Sequence, residues 1–138
     1  MQVQAYLFFD GRCEQALEFY RRTLDAEVEM LMRYKESPEP LPPAMAPPGM
    51  ENKVMHASLR IGETSVMAAD DCTGTQRAFQ GIQLSLAVDD ATEAERRFKA
   101  LADGGQVKMP LTKTFFSPSF GMLVDRFGVS WMVIATPR

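Results

Sequence analysis

The chain contains two copies of one sequence pattern, 79 residues apart. Residues 3–10 read Val-Gln-Ala-Tyr-Leu-Phe-Phe-Asp, and residues 82–89 read Ile-Gln-Leu-Ser-Leu-Ala-Val-Asp. Identical residues at aligned positions include Gln4 and Gln83, Asp10 and Asp89, and Met30 and Met109. A chain that repeats at such an interval consists of two copies of one supersecondary unit. Because few architectures satisfy this condition, the repeat constrains the fold more than any single residue does.

Length and composition indicate an ordinary globular protein. The chain has 138 residues, of which 46% are hydrophobic and 24% charged, enough to bury one sizeable core and unlike a disordered chain. The net charge is −3, and like charges do not occur in blocks. The chain therefore does not show the clustered basic residues that are typical of a nucleic-acid binder. We also expect no membrane span and no signal peptide, because the apolar runs are too short. Cys13 and Cys72 lack metal-type spacing, and because we expect no export signal, we expect them to be free thiols in a reducing cytoplasm.

The first copy predicts a strand, a helix and three further strands. Val3–Phe9 alternates as a strand does, and apolar residues then recur at helical spacing. These residues are Cys13, Ala16, Leu17, Tyr20 and Leu24. Ala26–Tyr34 predicts a second strand, while residues 35–52 contain six prolines and so hold neither helix nor sheet ladder. Val54–Ile61 and Thr64–Ala69 predict a hairpin.

The second copy keeps the same order of elements. Ile82–Val88 predicts a strand, Asp90 begins a helix as its N-cap, and the glycines after Asp103 end that helix. The remaining predicted strands are Val107–Met109, Phe120–Asp125 and Val129–Ala135. The hairpin glycines Gly62 and Gly128 are 66 residues apart rather than 79, so residues 35–52 are an insertion in the first copy.

The two copies together predict an α+β fold. We expect a single domain over residues 1–138, built from two β-α-β-β-β units. The first unit covers residues 1–75 and includes the proline-rich insertion, and the second covers residues 80–138.

Five segments of the chain resemble a known family: Ala5–Gly11, Ala16–Tyr20, Val54–Gly62, Met109–Phe116 and Phe120–Trp131. Through them the chain resembles the PhnB-like branch of the vicinal oxygen chelate (glyoxalase/bleomycin resistance/dioxygenase) superfamily, also labelled demethylubiquinone methyltransferase-like. The resemblance implies curved mixed sheets around a cup, helices on the outer faces, and a homodimer. It leaves the reaction open, because one fold hosts many functions.

The resemblance also implies where a divalent metal would bind. Metal-dependent relatives place one ligand on the first strand of each unit and one on the last, which here gives Gln4 and Gln83 with Met67 and Met132. Thioether sulfur suits Cu(I) far better than hard divalent ions. We therefore expect no cofactor, and we keep Gln4, Gln83 and Asp70 as the metal ligands of an alternative, metal-dependent enzyme.

Strand alternation predicts the side chains that face a small-molecule ligand. On Val54–Ile61, His56 and Arg60 lie opposite the apolar face. His56 is the single histidine; it is either a catalytic acid–base group or ligand anchor, or a strand histidine hydrogen-bonded to a neighbour. Arg60 would bind a carboxylate or phosphonate, or pair with a nearby acid. The complete predicted ligand-binding set is Gln4, Tyr6, His56, Arg60, Gln83, Lys113 and Trp131.

For most of the other candidate residues, a structural role is an alternative to ligand binding. Lys113, followed by two phenylalanines, suits an anionic or aromatic ligand, or protects an edge strand from aggregation. Trp131 stacks on a ligand or belongs to the core. Asp70 reaches a ligand or lies in a solvated turn, and Arg126 is expected to fix its turn. The ten methionines suit an adaptable pocket or a core.

Three functions stay open at this point. The first is a metal-free binding protein or cofactorless enzyme for a small molecule, with anionic molecules among the candidates. The second is a metal-dependent glyoxalase- or dioxygenase-type enzyme. The third is a resistance-type protein that sequesters a drug without turnover. The expected partners are the small-molecule ligand and a second copy of the chain, with no nucleic acid and no membrane.

Overall fold

Two compact units make up the chain, Met1–Arg77 and Ala78–Arg138. The computed structural model describes residues 1–41, 48–71 and 79–136. The prediction of an α+β fold with two β-α-β-β-β units is confirmed. Cys72 and the three prolines at 42, 43 and 47 lie outside the described residues.

The first unit is a four-stranded mixed sheet with one helix. Its elements are β1 (Tyr6–Phe9), α1 (Cys13–Leu24), β2 (Glu27–Arg33), a 3₁₀ turn (Tyr34–Glu36), β3 (Val54–Ile61) and β4 (Thr64–Asp70). The strand order is β1-β4-β3-β2. β1 runs parallel to β4, while the other neighbours are antiparallel.

The second unit repeats this arrangement strand for strand. Its elements are β5 (Leu84–Val88), α2 (Ala91–Ala102), β6 (Gln106–Thr112), β7 (Phe120–Val124) and β8 (Ser130–Ala135). The strand order β5-β8-β7-β6 matches that of the first unit, again with one parallel pair. Asp90 caps α2 by accepting a hydrogen bond from the backbone N–H of Glu93, as predicted. Gly104, just after the helix, has φ +79°, the left-handed geometry expected of a terminating glycine.

The proline-rich insertion lies where the two units differ in loop length. Twenty residues separate β2 from β3, whereas seven separate β6 from β7. The difference of 13 equals the shift between the two hairpin glycines, Gly62 and Gly128, relative to the repeat. Several strand limits differ from the prediction, and two of them differ by three residues. β1 begins at Tyr6 rather than Val3, and β6 extends to Thr112 because an edge strand tolerates Pro110.

One face of each sheet packs against the helix of its unit and forms the core. In the first unit the buried side chains of this face are Ala57, Leu59, Val66 and Ala68. In the second unit they are Leu123, Trp131, Val133 and Ala135. We call the opposite face of each sheet, which carries the alternate residues, its open face. Within the described part of the chain, no helix is long and apolar enough to cross a membrane.

A buried carboxylate joins three elements of the first unit. Asp70, the last residue of β4, is only 2% exposed. Its Oδ1 accepts a hydrogen bond from the backbone N–H of Cys13 (2.9 Å), and its Oδ2 accepts one from that of Val54 (2.9 Å). Because Arg12 supplies no side-chain cap to α1, Asp70 takes over that role from a distant strand. The expectation that Asp70 lies in a solvated turn is therefore wrong.

We predict that Asp70→Ala destabilises the fold by about 2–5 kcal/mol, because two buried N–H groups lose their acceptor. The measurement is urea unfolding followed by circular dichroism. Asp10→Ala is the matched control, since Asp10 pairs with Arg12 at the surface, where such pairs contribute little. Equal stability losses in the two variants would show that Asp70 does not hold these elements together.

Candidate functional site

A tyrosine and a histidine form a hydrogen-bonded pair on the open face of the first sheet. The hydroxyl of Tyr6 on β1 lies 2.8 Å from Nδ1 of His56 on β3. The two ring centroids are 5.6 Å apart, with the ring planes tilted by 39°. These two residues are 50 positions apart in the chain, and both belong to the predicted ligand-binding set. The structure thus brings together two of the seven predicted residues in direct contact.

Apolar and sulfur-containing side chains surround the pair. Phe8 stacks on Tyr6 with ring centroids 4.9 Å apart, and the two rings are 50% and 37% exposed. Met67 is the direct neighbour of Tyr6 across the β1–β4 ladder, and Met32 is that of His56 across the β2–β3 ladder. We call these five residues the Tyr6–His56 surface. It combines one polar pair with apolar side chains, a combination of groups that is common in small-molecule sites.

A β-bulge places a methionine on the open face of each sheet. In β2 the pairing with β3 shifts between Val28 and Met30, so Met30 pairs with Ser58 instead of following Val28 toward the helix. The same shift occurs in β6 between Val107 and Met109. Met109 therefore pairs with an open-face residue of β7. The bulge therefore puts Met30 and Met109 at equivalent places of the two sheets.

The open face of the second sheet carries three methionines in one row. Met109, Met122 and Met132 are paired directly across β6, β7 and β8. Ser85 on β5 completes the row beside Met132. Gln83, from the predicted set, donates its side-chain amide to the sulfur of Met122 at 3.4 Å. Methionine side chains adapt to ligands of different shape, so this face also suits binding.

Arg60 and Trp131 bind polar partners of their own, and Gln4 lies before the first strand. Arg60 forms an ion pair with Glu27, directly across the β2–β3 ladder. Gln4 is exposed and precedes β1. Trp131 is 2% exposed and donates its indole N–H to the buried carboxylate of Asp125 at 2.9 Å. The prediction of Trp131 as a ligand-binding residue is therefore corrected, since its ring is covered by the core.

Lys113 lies beside a surface depression of the second unit. The depression has a volume of about 550 Å³ and is lined by Lys113, Phe115, Phe116, Ser117 and the first residues of α2, among others. Phe115 is fully exposed, and its ring packs edge-on against Phe116 at 5.1 Å. Lys113 directly follows edge strand β6. This position is compatible with both predicted roles, which are contact with an anionic or aromatic ligand and protection of the edge strand from aggregation.

The donors at the implied metal positions do not fit a hard divalent ion. Met67 and Met132, on the last strands, supply thioethers, and their partners across the ladder are Tyr6 and Ser85. The third alternative ligand, Asp70, already holds two backbone N–H groups with its two oxygens. Within residues 1–41, 48–71 and 79–136, no group of three or more His, Cys, Asp or Glu side chains could hold a metal.

Burial shifts the pKa of two groups near the N-terminus of α1. The pKa of the Cys13 thiol rises to about 12, mainly because the side chain is buried and further because Asp70 and Glu14 are nearby. The pKa of Tyr6 is also raised, first by burial and then by Cys13. Cys13 is therefore an unreactive core thiol, and Tyr6 keeps its hydroxyl proton at neutral pH.

Arg126 has the structural role that was expected, but its side chain contacts the end of α2, whereas its own hairpin turn was the predicted partner. Its guanidinium donates two hydrogen bonds to the backbone carbonyl of Asp103 (3.1 and 3.0 Å) and pairs with the carboxylate of that residue. Its side chain also packs over Gly104, where a Cβ would lie 3.0 Å from Nε. Arg126 thus closes the C-terminal end of α2.

Sequence reasoning missed the aromatic stack and the methionine row as parts of the open faces. Strand alternation puts Tyr6 and Phe8 on one face of β1, but it does not predict that their rings stack. The three methionines come together only through the register of β6, β7 and β8. The identity of Met30 and Met109 in the repeat was the one available signal.

The chain is similar to known proteins along almost its whole length. The model of the family described as 3-demethylubiquinone-9 3-methyltransferase matches residues 1–134. The crystal structure of protein PA1353 from Pseudomonas aeruginosa is 41% identical, with a TM-score of 0.86 over 99% of this chain and 98% of that one. A putative 3-demethylubiquinone-9 3-methyltransferase, PhnB protein, from Bacillus cereus is 29% identical, with a TM-score of 0.82 over 99% and 100%.

A more distant structure shows the fold class. A glyoxylase/bleomycin resistance protein/dioxygenase domain from Frankia sp. EAN1pec is 14% identical, with a TM-score of 0.69 over 100% of this chain and 93% of that one. At this identity the likeness concerns the fold alone. It agrees with the two mixed sheets and two helices described above.

We predict that stability falls as pH rises above 9 because of Cys13. The thiol of the unfolded chain titrates near 9.0, whereas the folded thiol titrates near 12. Between these values the unfolded chain releases a proton that the folded chain keeps, which lowers the free energy of unfolding by about 1.4 kcal/mol per pH unit. Urea unfolding between pH 8 and 10 measures this slope, and Cys13→Ala should flatten it. An unchanged slope in the variant would contradict the assignment.

Proposed function

The chain belongs to the 3-demethylubiquinone-9 3-methyltransferase family, the PhnB-like branch of the glyoxalase/bleomycin-resistance proteins, and we propose that it binds a small molecule without a hard divalent metal. The proposed site is the Tyr6–His56 surface on the open face of the first sheet. The family description names a methyl transfer, but the proposal covers binding, and turnover is a separate measurement.

The Tyr6–His56 pair is the observation that carries the proposal. Its two polar groups satisfy each other at 2.8 Å, yet they lie on a surface where Tyr6 and Phe8 remain 37% and 50% exposed. Exposed aromatic rings that adjoin a hydrogen-bonding pair are typical of sites that bind ligands. A purely structural pair would gain nothing from leaving two aromatic rings in water.

The proposed ligand has a flat apolar body and at least one polar group. Phe8 and the methionines would contact the apolar body, because thioethers and aromatic rings pack favourably together. His56 would bind the polar group. Arg60 adds little preference for an anion, because Glu27 neutralises it.

The metal-free form of the proposal is supported by ligand chemistry. At the implied metal positions, glutamine offers a neutral carbonyl oxygen and methionine a soft thioether, so the set lacks the carboxylates that usually hold a hard cation. The metal-dependent enzyme is therefore the second choice. A resistance-type sequestering protein remains compatible with the same surface and differs from an enzyme only in turnover.

We also propose a cytoplasmic homodimer. Each sheet ends in two edge strands, β1 and β2 in the first unit and β5 and β6 in the second, which leaves backbone groups available for pairing. The exposed rings of Phe115 and Phe116 add apolar surface that a second copy could cover. The free buried thiol of Cys13 agrees with a reducing compartment.

We predict that a thermal-shift screen of aromatic acids, phosphonates and quinones finds a ligand that depends on the Tyr6–His56 surface. His56→Ala should abolish the shift and Tyr6→Phe should reduce it, because each removes part of the polar pair. Tyr20→Phe is the matched control, since Tyr20 is buried on the helix side and the same hydroxyl is removed there.

The same screen with and without a chelator tests the proposal that binding needs no divalent metal. We expect an unchanged shift and well below one equivalent of divalent metal in the purified protein. A stoichiometric metal whose removal abolishes binding would contradict the proposal.

A ligand that binds His56→Ala as well as the wild type would place the site elsewhere. Product formation from that ligand would separate an enzyme from a sequestering protein.

For the dimer, size-exclusion chromatography with light scattering should give about twice the chain mass of 15.4 kDa at micromolar concentration. Two copies would cover sheet edges and exposed phenylalanines that a single copy leaves in water. A mass equal to that of one chain would contradict this part of the proposal.

A further inference from the structure

We propose that Tyr6 holds His56 in the neutral tautomer with its proton on Nε2, so that His56 offers the ligand a hydrogen-bond donor and selects molecules with an oxygen acceptor. This inference rests on the proposed function, because it names the chemistry of the ligand at the same site. Tyr6 acts in it as a positioning residue, and His56 is the residue that would touch the ligand.

The direction of the Tyr6–His56 hydrogen bond follows from the chemistry of its two atoms. The hydroxyl oxygen and Nδ1 are 2.8 Å apart, a normal hydrogen-bond distance. A neutral imidazole nitrogen is a far stronger base, and hence a better acceptor, than a phenol oxygen. The tyrosine hydroxyl also keeps its proton, since burial raises the pKa of Tyr6. We therefore take Tyr6 as the donor and Nδ1 as the acceptor.

The direction of the Tyr6–His56 hydrogen bond determines which imidazole nitrogen carries the proton. A neutral imidazole carries one N–H and one lone pair, so a lone pair used at Nδ1 leaves the proton on Nε2. Among the described residues, the hydrogen bond to Tyr6 is the one polar contact of the His56 side chain. The Nε2–H group is consequently available to a molecule on the open face.

The Nε2–H group of His56 determines which ligands the site can bind. An N–H donor pairs with a carbonyl, carboxylate or phosphonate oxygen, and it leaves a ligand that has only donor groups unsatisfied. In this tautomer His56 offers the ligand no free lone pair, so it acts as a donor that polarises an oxygen atom. With Phe8 stacked beside Tyr6, the preferred ligand is an aromatic molecule that carries an oxygen acceptor.

The sequence provides an unusually clean test, because His56 is the single histidine of the chain. Protein labelled with ¹⁵N-histidine therefore gives one set of imidazole signals in a long-range ¹H–¹⁵N spectrum. For the neutral ring, we expect a protonated Nε2 and an unprotonated Nδ1 in the ligand-free protein. A protonated Nδ1 would overturn the inference and leave the proposed ligand binding intact.

Substitutions of tyrosine separate positioning from a general structural effect. Tyr6→Phe should give a spectrum averaged between the two tautomers, because the hydrogen bond that selects one of them is gone. Tyr20→Phe, a buried tyrosine on the helix side, should leave the wild-type pattern. An unchanged tautomer in Tyr6→Phe would show that Tyr6 does not position His56.

Benzoate and benzylamine test the ligand class as a matched pair of probes. Benzoate should shift the Nε2 signal, whereas benzylamine, which has no oxygen acceptor, should not. His56→Gln keeps a donor near the place of Nε2, so its benzoate affinity should stay within about threefold, and Tyr6→Phe should lose about fivefold. No benzoate binding would overturn the ligand class alone. Benzoate binding without a change at Nε2 would overturn the proposed site and leave the tautomer standing.

Discussion

Each sheet has a single helix, and this helix covers only one of its two faces. The constraint determines where every strand side chain lies. Residues toward the helix form the core, with Ala57, Leu59 and Val133 almost completely buried. The alternate residues face away, and several of them are aromatic rings or methionines that remain partly exposed. Apolar surface of this kind usually belongs to a binding site, so the proposed function follows from the same asymmetry that forms the core.

The internal repeat determines the architecture, while the differences between the copies determine the chemistry. Both units contain the same strand order and the same bulge, which brings Met30 and Met109 to equivalent places. At the places that Tyr6 and His56 occupy in the first sheet, the registers of the second sheet put Ser85 and Phe120. Serine and phenylalanine cannot form the same hydrogen-bonded pair. The first unit therefore carries a hydrogen-bonded polar pair that has no equivalent at these places of the second unit.

Local sequence signals predicted the elements well and the contacts between them poorly. Helical periodicity, the Asp90 cap and the hairpin glycines are local, and they gave the order of elements and the length of the insertion. The Tyr6–His56 contact depends on the register of strands that are 50 residues apart, which alternation does not specify. Asp70 was misplaced for a related reason, because its two partners, Cys13 and Val54, are distant in sequence. Trp131 shows the same limit, since its buried partner Asp125 became visible only with the hairpin in place.

The most direct test of the account is a crystal structure with the compound that gives the largest thermal shift. The account predicts an oxygen atom of that compound at about 3 Å from Nε2 of His56, with its ring against Phe8. The hydrogen bond between Tyr6 and Nδ1 should persist in the complex. A compound bound in the depression beside Lys113, with no contact to His56, would contradict the account.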